Sequence, residues 1–148
     1  MNPRFRLLLV ILCAAGTVSC ARRPPSPELA ANGDTEVTAK LTAIGGDFPP
    51  NKLYDYIFVM KYYVLKVHRG KVQGDEIFVG HYNPLKPRAA AEDKYSGKVG
   101  GNVERFQVGD VHHMALESTL DDVMIGIVDR HKEKGTRYRA IWTDRASE

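Results

Sequence analysis

From Val37 onward, apolar and polar residues alternate in short runs broken by glycine-containing turns, and that period of two predicts strands. Val37, Ala39 and Leu41 alternate with Thr38, Lys40 and Thr42 and stop at Gly45-Gly46. After a Pro-containing loop, Tyr56 to His68 is the longest β-prone run. Its first half is apolar on both faces, whereas its second half sets Tyr63, Leu65 and Val67 against Lys66 and His68. A strand that passes from two-sided to one-sided burial is expected to bend, as the long strands of small barrels do. Arg69 to Asp75 makes a turn into Glu76–Tyr82, which carries Ile77 and Val79 on one face. Val111–Glu117 places His112, Met114 and Leu116 together, and Thr136–Thr143 places Tyr138, Ala140 and Trp142 opposite Arg137 and Arg139.

Two stretches do not resolve this way. Leu120, Val123, Met124, Ile127 and Val128 fit helical spacing behind a Thr119 cap, yet β-branched residues surround Gly126 and a turn follows at Lys132–Gly135. Strand is the favoured reading, with helix left open. Asn83 to Glu104 is polar and without period. Five or six strands, one of them long and bent, predict an all-β fold: a small OB-like barrel or a sandwich.

The chain before this domain has a different character. MNPRFR is basic, and the twelve residues Leu7 to Val18 are apolar or small. A basic start, a short apolar run and a small residue before the cut define a secretory signal peptide, here residues 1–19. The run is short of the ~20 apolar residues that span a bilayer. The ending T-V-S-C resembles a bacterial lipobox, with Thr17 where such motifs usually carry leucine. The resemblance implies cleavage before Cys20, acylation of that thiol and a protein held at the cell envelope. Ala21 after the cysteine resembles the pattern that directs Gram-negative lipoproteins to the outer membrane. Paired acyl chains supply the two signals that stable anchoring requires. Residues 20–36, with three prolines and almost nothing to bury, read as an extended tether; the domain then occupies 37–143 and a short tail 144–148.

Processing also changes the charge. Of 21 Lys+Arg, Arg4 and Arg6 leave with the leader, so 19 basic residues face 18 acidic ones. A near-neutral domain offers no concentrated basic face for nucleic acid. Cys13 leaves as well, and an acylated Cys20 has no free thiol, which removes disulfides and cysteine-ligated metal.

Val64, Val67 and Gly70, then Gly74, Ile77, Val79 and His81, then Gly109, Asp110, His112, Met114 and Leu116, form a sequence of elements that resembles small OB-like or netrin-module-like envelope domains over Val37 to Leu116. The resemblance implies a binding or accessory module. Some such domains resemble lipoproteins that accompany exopolysaccharide-modifying or exporting machinery. It carries no catalytic set.

The residues themselves agree. A G-x-S-x-G elbow, a phosphate cradle and an H-E-x-x-H pair are all missing from the sequence. No catalytic residue and no cofactor is therefore assigned. His112 and His113 are adjacent on a strand and point to opposite faces. His81 ends a strand that a barrel would bring near His112, so zinc held by these two with Asp110 or Asp75, in a small metal-dependent hydrolase, is the alternative reading. The favoured reading is a membrane-tethered, non-catalytic module that binds an envelope protein or polysaccharide. The Asn83–Glu104 loop is its expected binding surface, through Tyr82, Lys86, Arg88, Lys94 and Tyr95, because long irregular loops in compact domains tend to carry function.

Overall fold

The computed structural model describes residues 27–52, 54–91, 99–118, 120 and 126–146. Five strands close on themselves: β1 (Thr35–Ala43), β2 (Tyr56–Arg69), β3 (Glu76–Tyr82), then β4 (Gly100–Gly101) outside the ring, β5 (Val111–Glu117), β6 (Gly126–Val128) also outside it, and β7 (Arg137–Arg145). The ring runs β1-β2-β3-β7-β5 and back to β1. Every step is antiparallel except β3–β7, which is parallel. This is an all-β, OB-like barrel, and its strands fall where the alternation puts them.

The length of β2 follows from its two jobs. Its first half pairs with β3 on one edge and with the short parallel β6 on the other; its second half pairs with β1. Three register shifts interrupt the β1–β2 ladder, and bulges of this kind bend a strand around a barrel corner. The two-sided burial of Tyr56–Met60 also has a cause. Tyr56, Phe58, Met60 and Tyr62 face the barrel interior with Val37, Leu41, Val79, Met114 and Leu116. Ile57 and Val59 face outward into a second cluster with Phe78, Tyr82, Val99 and Leu120. Leu120 lies so close over Gly80 that a Cβ there would sit 2.8 Å from its Cδ2 and 2.6 Å from Ile57 Cγ2. The glycine admits this outer layer.

Several expectations need correcting. Trp142 does not join Tyr138 and Ala140 inside. A register shift between Ala115 and Leu116 in the β5–β7 ladder leaves Ile141 as the extra residue, so Trp142 pairs with Ala115 on the outer face. There it is half-buried, covers Gly100 and donates its indole N–H to Asp144 at 3.1 Å. The tail starts later than 144, because β7 continues to Arg145 and Asp144 is buried. The described part of the tether is folded rather than extended. Pro27–Ala31 forms one short helix, α1, and Arg69 donates to the carbonyls of Asn32 (2.6 Å) and Gly33 (2.7 Å). The stretch left open between helix and strand is a strand at Gly126–Val128; residues 121–125 lie outside the described set. Among the described residues, no helix is long and apolar enough to cross a membrane.

Candidate functional site

The barrel interior is not purely apolar. Tyr62 from β2, His81 from β3 and His112 from β5 all point inward and are fully buried. The Tyr62 hydroxyl lies 3.0 Å from His81 Nε2 and 3.1 Å from His112 Nδ1. Phe106, just before β5, packs against both imidazoles. A hydroxyl has one proton, so it donates to one imidazole and accepts from the other. The arrangement with Tyr62 donating to His112 Nδ1 leaves a proton on His112 Nε2, which faces the Asp110 carboxylate at 4.0 Å. His81 then donates from Nε2 to Tyr62 and keeps only a bare Nδ1. That assignment puts the stray lone pair, rather than a stray N–H, in the apolar interior, and it is the cheaper of the two.

Burial sets the charge state of this group. Desolvation holds His81 well below the usual histidine range, helped by Arg88 and His112. Desolvation likewise takes His112 down to about 4, against the pull of Asp110 and with Arg145 adding to the drop. The Tyr62 hydroxyl is pushed up by burial. Three neutral, mutually bonded rings make a specifying core network. His81 and His112 do come together, as the sequence suggested, with the Tyr62 hydroxyl between them, and Asp75 lies exposed in the turn before β3.

Two of the five residues expected to form the binding surface are buried. These are Tyr82 and Arg88; Lys86 is exposed, and Lys94 and Tyr95 lie outside the described residues, as does Cys20. Tyr82 faces the outer apolar cluster because β3 alternates, with His81 taking the inward position. Arg88, in a short 3-10 turn at Arg88–Ala90, donates to the main-chain carbonyls of Tyr82 (2.7 Å), Asn83 (2.7 Å) and Lys86 (3.0 Å). Its guanidinium also lies 5.3 Å from the Phe106 ring centroid. A polar loop thus folds around its own arginine instead of presenting it.

Two features of the outer surface gave little sequence signal. The first lies on the second half of β2, where Tyr63, Leu65 and Val67 are 45%, 49% and 40% exposed instead of covered. The β3 ladder ends at Tyr63, and among the described residues no strand pairs with that edge of β2 beyond it. The second is a group of polar side chains on three adjacent strands. Glu36 and Thr38 share the outer face of β1, and Thr38 pairs with His113 of β5, which points outward while His112 points inward. From β2, His68 reaches Thr38 Oγ1 with its Nε2 at 2.8 Å. His113 Nε2 lies 2.7 Å from Glu36 Oε1, and the two imidazoles stack at 4.4 Å. Period two alone would group Glu36 with Thr38. Only barrel closure brings in residues 68 and 113.

Comparison with protein-family models, with curated proteins and with solved structures finds no match.

Proposed function

We propose that this protein is a membrane-tethered, non-catalytic binding module of a bacterial cell envelope, and that it captures an extended segment of an envelope protein along the outer half of β2. The observation that carries this reading is the open strand edge bearing Leu65 and Val67. Proteins normally blunt an exposed edge, because its unpaired N–H and C=O groups template another strand. Adding a strand supplies main-chain hydrogen bonds for affinity and side-chain contacts for selection. A polypeptide can use both, whereas a polysaccharide has no matching backbone. The sequence resemblance suggests machinery that modifies or exports exopolysaccharide as the setting, and Cys20 with its lipobox-like ending would supply the tether.

Two measurements test it. With a photo-crosslinking residue at Leu65, the full chain in native membranes should give a discrete, protease-sensitive adduct. The same residue at Val108, which is 60% exposed, should give none. Adducts at both positions, at neither, or a protease-resistant adduct at Leu65 would remove the protein-capture reading. Separately, Cys20→Ser should move the chain from the membrane to the soluble fraction and abolish acyl labelling. An unlabelled wild type would end the lipid-anchor part.

A further inference from the structure

We propose that Glu36, His68 and His113 form a binding site for a divalent transition metal, with zinc the ion whose chemistry the donors match best. One donor atom from each residue lies within 4.8 Å of the others. Zinc with bonds of ~2.0–2.2 Å to nitrogen and oxygen needs donors somewhat over ~3 Å apart, so the group must contract by about an ångström. That movement falls on His68, whose side chain is exposed, because Glu36 and His113 already touch at 2.7 Å.

The scaffold favours such a contraction. The donors come from the central β1 and its two neighbours in the barrel: Glu36 and His113 sit on strands paired on both sides, whereas the His68 end of β2 is held by β1 alone and is the arm free to adjust. Register shifts on either side of the Val37–Thr38 pair turn the end of β2 so that His68 faces Thr38 on the outer surface. Thr38 then holds the His68 ring in place, the role an outer hydroxyl plays for a ligating imidazole. Desolvation and the neighbouring His113 hold His68 below the usual histidine range, which suits a ligand that must bind through a bare nitrogen.

Two cations oppose the ion. Lys66 lies near His68, and Arg69 Nε is 3.7 Å from Glu36 Oε2. Arg69, however, is already committed to the carbonyls of Asn32 and Gly33, which fixes its guanidinium toward the α1 end. Two imidazoles and one carboxylate form the three-donor set of zinc sites that keep a fourth position open. Here that position faces solvent and is free for water or for a donor brought by a partner. The inference goes beyond the binding-module reading and does not depend on where the partner docks.

The test uses the full chain in detergent, stripped with a chelator and titrated with zinc chloride at about pH 7, where imidazoles are largely neutral. One zinc per chain should bind with a Kd below about 10 µM, and saturation should raise the melting temperature. His68→Ala, His113→Ala and Glu36→Gln should each weaken binding at least tenfold while keeping the circular dichroism of the wild type. His131→Ala, on a different part of the surface, should bind as the wild type does. Retention of affinity by any one of the three ligand variants, loss in the His131 variant, or a wild-type Kd above about 100 µM would overturn the site. If a ligand variant fails to fold, pH settles the matter: zinc affinity of the wild type must fall steeply as the imidazoles protonate, and affinity that stays flat down to about pH 5 also overturns it.

Discussion

Arg88→Ala is expected to destabilise the barrel by about 3–5 kcal/mol, because it removes a charged donor from the carbonyls of Tyr82, Asn83 and Lys86, the first two of these bonds being buried. A charged donor bonded to a buried carbonyl contributes roughly 1.5–3 kcal/mol, and the stranded acceptor then adds its own desolvation cost. The side chain is 1% exposed, so truncation also opens a void against Phe106. Burial lowers the guanidinium to about 10, which leaves it charged at any physiological pH. For a small domain with a net stability of ~5–15 kcal/mol, the loss is a large fraction of the whole. Chemical denaturation measures it. Arg88→Met separates the causes, since it keeps volume but no donor and should lose most of the same stability. An Arg88→Met protein as stable as the wild type would show that packing, not carbonyl capture, is what Arg88 supplies. Lys86→Ala, on the exposed side of the same loop, should change the unfolding free energy by no more than ~0.5 kcal/mol.

The Arg88 result also bears on how a binding loop is recognised. An arginine among prolines in a polar segment looks solvent-facing, and nothing local says that three carbonyls converge on it. The chain turns there because Asn83 adopts a left-handed conformation (φ 43) and its side chain ties to Tyr56 N and Asp55. Asparagine tolerates that region, but the residue needs a partner across the loop to use it. Where a strand itself carries no extra residue, the sequence pattern was sufficient: Glu76–Tyr82 and Val111–Glu117 form as the alternation predicts. Where a ladder carries an extra residue, periodicity fails from that point on, which is why Tyr138 and Ala140 lie inside and Trp142 does not. The Gly100–Gly101 strand had no side chains from which a pattern could be read. Surface clusters are harder still. Glu36, His68 and His113 lie far apart in sequence, and only the closure of β1 against both β2 and β5 makes them neighbours.

The interior network makes a different kind of prediction, about acid. His81 and His112 are neutral and buried in the folded chain, whereas in the unfolded chain each titrates near 6.5. The unfolded state therefore takes up protons first as pH falls. Stability should be fully present above about pH 6.5 and decline as pH falls toward about 4, where folded His112 itself protonates. His112 alone accounts for roughly 3 kcal/mol over that window, and His81 acts in the same direction. His68 is lowered too, but it is exposed and adds a smaller effect of the same sign. Urea unfolding at a series of pH values should give a slope steeper than one proton per molecule between about pH 6 and pH 5. His112→Gln, which retains a side-chain amide near Tyr62 but cannot titrate, should start less stable at neutral pH and show a shallower slope. Tyr62→Phe is the complementary case. It removes the hydroxyl that both imidazoles share, so neutral-pH stability should fall by about 1–3 kcal/mol while the acid slope persists. A wild type whose stability is flat from neutral pH down to about 5 would mean that the two histidines are already solvated or already charged in the folded barrel, and the network would have to be redrawn around a buried ion pair with Asp110.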